Sequence, residues 1–89
     1  MVHVEFTPHL SRFLACPPLD VEGSTVRTAL DAVFAERPAL KSYLVDDQDR
    51  LRKHVALYVN DRPIADRTSL SDGLADGDRL FVFQALSGG

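Results

Sequence analysis

The clearest signal in the chain is an alternation of apolar and polar residues at period two, which is typical of a strand that is buried on one face. It occurs at residues 2–6 and again at Val55–Val59. Leu80–Phe83 is instead continuously apolar, which favours a central strand with a neighbour on each side. Leu19 and Val21 follow two prolines and predict a short strand at a sheet edge, running back beside the first.

One segment has helical periodicity. Its apolar residues recur at spacings of four, seven and eight positions: Val26, Leu30, Val33 and Phe34. Gly23-Ser24-Thr25 supplies a hydroxyl able to cap the first turn, but no Glu or Gln follows three residues later, so we expect no capping box. Pro38 should end the helix after about three turns.

The remaining segments predict short elements and turns. Leu40 and Leu44, with Tyr43, indicate a brief helical turn, and Asp46–Arg50 is a polar loop. Ile64 predicts the start of a brief fourth strand, and a run of Ser, Asp and Gly residues before Leu80 predicts turns. The order strand, strand, helix, strand, short strand, strand predicts an α+β domain in which one helix covers one face of one sheet.

This arrangement has a consequence for the last strand, because adjacent residues of a strand point to opposite faces. If Leu80 and Val82 meet the helix, Phe81 and Phe83 must face outward. Two exposed phenylalanines in a small domain predict a patch on which a partner protein docks.

The sequence closes with Leu86, Ser87, Gly88 and Gly89. Two glycines without Cβ atoms make a thin thread that can enter a narrow enzyme cleft, and four extended residues reach roughly 13 Å. A terminal glycine also leaves its α-carboxylate unhindered, so ATP can activate it as an acyl-adenylate that a sulfur nucleophile attacks. We interpret Gly89 as the working group, and residues 86–89 as a flexible tail on a domain of residues 1–85. A frayed end without function is the alternative.

Composition predicts one small domain that is stabilised by hydrophobic burial. The chain has 89 residues, 45% of them hydrophobic, and a single cysteine, Cys16, which cannot form an internal disulfide. The net charge is -3, from 13 acidic and 10 basic residues without long blocks of one sign, which argues against nucleic acid as a partner. Apolar runs such as Leu80–Phe83 are too short to cross a bilayer, and no signal peptide is visible. We expect a soluble cytoplasmic protein that does not bind a membrane.

Other residues with potential chemistry lack suitable neighbours. No feature places a base beside Cys16, and the prolines that follow it exclude a helix N-terminus that would lower its pKa. His3, His9 and His54 match no zinc spacing. The aspartates of segment 46–49 lack the glycine and the closing glutamate of a calcium loop. The sequence therefore predicts no catalytic residue and no metal site.

The chain resembles the ThiS/MoaD family of ubiquitin-like β-grasp sulfur carriers in the order of its elements and in three motifs. Tyr58-Val59-Asn60 is similar to the end of the family's third strand, Asp76-Gly77-Asp78 to the turn before the last strand, and Ala85-Leu86-Ser87-Gly88-Gly89 to the tail. The Asp-Gly-Asp turn, an apolar strand and a terminal Ser-Gly-Gly together are the most specific part. The resemblance implies a mixed sheet of four to five strands with one main helix packed on one face.

The same resemblance implies a function and its partners. An E1-like adenylyltransferase/sulfurtransferase would use ATP to adenylate Gly89, and a sulfur donor would convert it to a thiocarboxylate. A downstream biosynthetic enzyme would then consume the sulfide. Phe81 and Phe83 are the expected partner contacts. The carrier itself would catalyse nothing and bind no cofactor.

Within the family, segment Leu51–Asp61 looks most like the sulfur carriers of cysteine synthesis, which implies a pyridoxal-phosphate-dependent cysteine synthase and a JAMM-type metalloprotease as further partners. Thr7 and Gln84-Ala85 depart from the aromatic residue and the proline pair usual in small subunits of molybdopterin synthase. Three alternatives stay open: a modifier joined to lysines through Gly89, a molybdopterin synthase small subunit, and an interaction module whose tail has no role. Four destinations of the sulfur also stay open: cysteine, a thiosugar, a pterin or tRNA.

Overall fold

Five strands form one mixed sheet in a computed structural model that describes residues 1–6 and 17–84. The strands are β1 (Val2–Phe6), β2 (Leu19–Val21), β3 (Val55–Val59), β4 (Arg62–Pro63) and β5 (Arg79–Gln84). The described helices are α1 (Val26–Glu36) and α2 (Ala39–Leu44). The strand order is β2-β1-β5-β3-β4. β1 and β5 pair in parallel, whereas the other neighbouring strands are antiparallel.

The position of each strand largely agrees with its sequence pattern. β5 lies at the centre, between β1 and β3, as its continuous apolar run predicts. β2 lies at an edge and pairs with β1, as expected for a short strand after two prolines. β4 lies just before Ile64, where the brief fourth strand was expected to begin. The side chain of Ile64 is buried, and its N–H donates to the Leu57 carbonyl of β3 at 3.0 Å.

The start of α1 corrects one expectation. The hydroxyl cap predicted within residues 23–25 comes from Thr25, which accepts a hydrogen bond from the Thr28 N–H at 3.2 Å. The Thr25 N–H in turn donates to the Thr28 hydroxyl at 3.0 Å, so a capping box is present. The prediction of no box was wrong because a threonine hydroxyl can accept this bond in place of a Glu or Gln side chain. The helix ends at Glu36, ahead of Pro38 as expected.

One core lies between α1 and the inner face of the sheet. The helix residues predicted to be buried are buried: Val26, Leu30, Val33 and Phe34. Alternate residues of β1, β3 and β5 meet them in the same cluster: Val2, Val4, Val55, Leu57, Leu80 and Val82. Over the described ranges no polar or charged side chain is buried, so apolar burial is the main source of stability in this part of the chain.

α2 is the short helical turn that the sequence predicts after Pro38, and its Leu40 and Leu44 are buried. The polar loop expected at 46–50 follows it. There the Asp46 carboxylate accepts backbone hydrogen bonds from Arg50 and Gln48 at 3.0 and 2.9 Å. These bonds hold the pKa of Asp46 below its usual value. Neither described helix is long and apolar enough to span a membrane.

Candidate functional site

The two phenylalanines of β5 face away from the core, which confirms the orientation predicted from their alternation with buried residues. Leu80 and Val82 are 0% exposed and belong to the core that α1 covers. Phe81 and Phe83 point to the opposite face of the sheet, which α1 does not cover. Phe81 is half-buried, whereas Phe83 is 39% exposed. An exposed phenylalanine on a central strand is available as a contact for another protein.

Tyr58 joins these phenylalanines from the neighbouring strand. It is the register partner of Phe81 across β3 and β5. Its ring meets that of Phe83 edge to face, with 5.2 Å between the centroids and 76° between the planes. The rings of Phe81 and Phe83 lie 6.3 Å apart. We call Tyr58, Phe81 and Phe83 the aromatic patch.

The sequence prediction left Tyr58 out of this patch, although the signal was present. Tyr58 follows the buried Leu57 in an alternating strand, so the reasoning that turned Phe81 outward applies to it as well. Knowing that it would meet Phe83, however, required the pairing of β3 with β5.

A histidine between two carboxylates borders the aromatic patch on the side of β1. Nδ1 of His3 lies 2.9 Å from Oδ1 of Asp20 on β2, and its Nε2 lies 3.1 Å from Oε1 of Glu5. Glu5 is the register partner of Phe81, which places the cluster beside the patch. Hydrogen bonds with Asp20, and then with Glu5, raise the pKa of His3 above its ordinary value. We call Asp20, His3 and Glu5 the histidine bridge.

The Asp-Gly-Asp turn sets where β5 begins. Gly77 has a φ of 88°, a backbone conformation that favours glycine. The Asp78 carboxylate accepts hydrogen bonds from the Ala75 N–H at 2.8 Å and from the side-chain amide of Asn60 at 3.2 Å. These two bonds hold the pKa of Asp78 below its usual value. The motif thus positions β5, and with it the aromatic patch, against β3.

The predicted tail, residues 86–89, lies outside the described residues. Two candidates from the sequence, Cys16 and His9, lie outside them as well. β5 extends to Gln84, so the described strand ends one residue before Ala85 and the predicted tail. The roles assigned to the tail, and to the phenylalanines as partner contacts, stay predictions.

The other candidates from the sequence do not form a site. His54 lines an open groove with Ser42, Tyr43 and Arg52. Over residues 1–6 and 17–84, no three His, Cys, Asp or Glu side chains are placed to hold a metal ion. The histidine bridge does not converge on one point either, since its carboxylates contact opposite nitrogens of the imidazole ring.

Comparison with known proteins identifies relatives of the chain. The model of the ThiS family matches residues 17–89. Small archaeal modifier protein 1 of Haloferax volcanii is 36% identical over 72 residues, which are 80% of this chain and 78% of that protein.

Solved structures give the same fold. The crystal structure of SAMP1 from Haloferax volcanii superposes with a TM-score of 0.78 at 31% identity, covering 99% of this chain and 98% of that one. A chain of the Amycolatopsis orientalis BexX/CysO complex superposes with a TM-score of 0.84 at 26% identity, covering 100% of both. These similarities confirm the predicted ubiquitin-like β-grasp fold, with its mixed five-stranded sheet and one main helix.

Proposed function

Because the chain belongs to the ThiS family of ubiquitin-like sulfur carriers and modifiers, we propose that it is a sulfur carrier that works through the carboxylate of Gly89. In the proposed reaction, a carboxylate oxygen attacks the α-phosphorus of ATP, and pyrophosphate leaves. Sulfide then attacks the acyl carbon of the adenylate, AMP leaves with loss of a proton, and the product is a thiocarboxylate. An E1-like adenylyltransferase/sulfurtransferase carries out these steps, so the chain is a co-substrate and not an enzyme.

The observation that carries this proposal is that two rings of the aromatic patch, Phe81 and Phe83, lie on β5, the strand that leads into residues 85–89. Phe83 lies one residue before the end of β5 and is the most exposed ring of the patch. Aromatic side chains that become buried when a partner binds are the usual anchors of protein interfaces. Since β5 is hydrogen-bonded on both sides, a partner that binds the patch also fixes the point from which the tail departs. Such positioning of the reacting group is a large part of what an activating enzyme must supply.

Within the family, we place the chain with the sulfur carriers of cysteine synthesis. Two features support this: the resemblance of segment Leu51–Asp61, and the full-length similarity to a chain of the BexX/CysO complex. That complex is also an example, in a relative, of this fold assembled with a partner protein. The proposed downstream partners are a pyridoxal-phosphate-dependent cysteine synthase and a JAMM-type metalloprotease. The protein would work in the cytoplasm.

One observation favours a second candidate, conjugation to other proteins. The 36% identical relative from Haloferax volcanii is a modifier protein. A modifier uses the same adenylate, but a lysine amine attacks the acyl carbon, AMP leaves, and an isopeptide bond forms. The two functions share Gly89 and the aromatic patch and differ only in the nucleophile. The departures at Thr7 and Gln84-Ala85 make the small subunit of molybdopterin synthase the weaker alternative.

Intact-mass spectrometry tests the proposed reaction. The chain is incubated with ATP, sulfide and the E1-like enzyme of the same organism, and it should gain the mass difference between one sulfur and one oxygen. Two matched controls should stay unmodified: a chain that lacks Gly89, and a chain with one residue added after it. The added residue moves the carboxylate by roughly 3.5 Å, whereas a misplacement of about 1 Å already slows catalysis strongly.

Two other results of this experiment would change the assignment. Efficient thiocarboxylate formation on either control would overturn the assignment of Gly89. Lysine-linked adducts on a denaturing gel, without any thiocarboxylate, would establish the modifier function instead.

A further inference from the structure

The histidine bridge is a cluster of titratable groups that the proposed function leaves without a role. Among the described residues, His3 contacts the carboxylates of Glu5 on β1 and Asp20 on β2, and its register partner on β5 is Arg79. All lie on the face of the sheet that α1 does not cover, together with the aromatic patch. The side chains of His3 and Glu5 are about equally accessible, at 37% and 39% exposed, so solvent and a docked partner can both reach them.

The geometry of the bridge favours a proton on His3. A neutral imidazole has one N–H and can donate to one carboxylate only, so its other nitrogen would present a lone pair to the second carboxylate. The imidazolium donates from both nitrogens and satisfies Asp20 and Glu5 together. Loss of the proton therefore releases one of the two carboxylates from its hydrogen bond.

The net charge around the histidine bridge also changes when His3 loses its proton. With Arg79, the register partner of His3, counted as one positive charge, the two carboxylates leave one net negative charge when His3 is neutral and none when it is protonated. Because Glu5 is in register with Phe81, the charge appears directly beside the aromatic patch. A partner that seats its apolar surface on the patch would then gain from a cation opposite Glu5, since charge complementarity stabilises such contacts.

We propose that docking on the aromatic patch is coupled to loss of the His3 proton, and that the partner places an arginine or lysine side chain beside Glu5. This inference rests on the proposed function in one respect, that the patch is the docking surface of the activating enzyme. In the complex, the partner's cation replaces the imidazolium as hydrogen-bond donor to Glu5. Binding should tighten as the pH rises, by up to about tenfold per pH unit if docking requires full loss of the proton.

Calorimetric titration of the full chain with the E1-like adenylyltransferase of the same organism, at about pH 6 and about pH 8, tests the coupling because these values lie on either side of the ordinary histidine pKa. The unmodified chain should bind several-fold more tightly at the higher pH. His3→Gln keeps a polar side chain but cannot titrate, so it should lose this difference. Any titration within the enzyme acts equally on both chains, and the comparison between them removes it.

Glu5→Gln tests the partner's cation separately. It should weaken binding at the higher pH and reduce the sensitivity of the affinity to salt, since a neutral amide cannot pair with a cation. Phe83→Ala should weaken binding at both pH values. A thermal melt of each variant identifies any loss of folding. The same pH dependence of affinity in the unmodified chain and in His3→Gln would overturn the inference.

Thiocarboxylate formation is followed in the same samples, so the two proposals fail separately. Tight, pH-dependent binding without any gain of sulfur would refute the proposed function and support the inference. Gain of sulfur with pH-independent binding would refute the inference alone. No binding at either pH would overturn both.

Discussion

The side chain of Asn60 joins the turn after β3 to the start of β5. Its Nδ2 donates to the Asp78 carboxylate at 3.2 Å, and its Oδ1 accepts from the Arg79 N–H at 3.1 Å. Asn60 has a φ of 58°, in the left-handed region that asparagine tolerates better than most residues. This one side chain therefore helps to hold the register that pairs Tyr58 with Phe81.

Replacement of Asn60 should destabilise the domain both by loss of its hydrogen bonds and by the cost of a positive φ, and two variants separate these effects. Asn60→Gly keeps the left-handed backbone accessible and removes the two side-chain hydrogen bonds, so we expect a loss of about 1–2 kcal/mol in the free energy of unfolding. Asn60→Ala should lose about 1 kcal/mol more, because alanine adopts a positive φ at a cost. Urea denaturation measures both. A glycine variant as stable as the parent chain would show that the two side-chain hydrogen bonds of Asn60 contribute nothing to stability.

Gly23 should not tolerate a side chain, whereas Gly73 should. A Cβ atom at Gly23 would lie 2.7 Å from the backbone nitrogen of Ala29 and 2.9 Å from its Cα, inside a helix that cannot move independently. A Cβ at Gly73 would meet nothing within 4 Å. We expect Gly23→Ala to cost about 1–3 kcal/mol of stability, as overpacking does, and Gly73→Ala to cost little. Equal denaturation midpoints for the two variants would contradict the close approach of Gly23, in the segment between β2 and α1, to the backbone of Ala29.

Asp66 should make the stability of the domain sensitive to acid. Its carboxylate accepts hydrogen bonds from the Ser71 hydroxyl at 2.6 Å and from the N–H groups of Ser69 and Thr68 at 2.9 and 3.0 Å, which lowers its pKa to about 2. Because the pKa is lower in the folded state, the stabilisation is complete above about pH 4 and is lost as the pH falls towards about 2.

The matched variant for this prediction is Asp66→Asn, which cannot ionise. Its deficit in the free energy of unfolding, measured by urea denaturation at several pH values, should be constant near neutrality and shrink below about pH 4. A deficit that stays constant down to about pH 2 would exclude the ionised form of Asp66 as its source.

Features that depend on residues close in sequence could be predicted, and features that depend on the register between strands could not. Alternation alone gave the outward direction of Phe83, and the stripe of α1 gave its buried face. The sequence predicted β2 beside β1, but the histidine bridge also depends on the register that sets Asp20 opposite His3, and no local pattern indicates that register. The sequence likewise did not indicate the contact of Arg67, whose guanidinium donates to the carbonyl of Val55 on β3 at 2.7 Å.

The central claim is that docking through the aromatic patch and chemistry at Gly89 are separable. A chain that lacks Gly89 keeps the patch, so it should compete with the intact chain for the activating enzyme. Adding Phe83→Ala to this competitor should remove most of the competition, since loss of an interface anchor costs about 2 kcal/mol or more, which is roughly thirtyfold in affinity. Asp31→Ala, an exposed position of α1, provides a matched control that should compete normally.

The most direct measurement is the rate at which the intact chain gains sulfur, followed by intact mass, as each competitor is added in increasing amounts. We predict that the chain lacking Gly89 and its Asp31→Ala variant slow this rate, and that its Phe83→Ala variant does so only at far higher concentration. If the chain lacking Gly89 does not slow the rate, or if its Phe83→Ala variant slows it equally well, the account is contradicted.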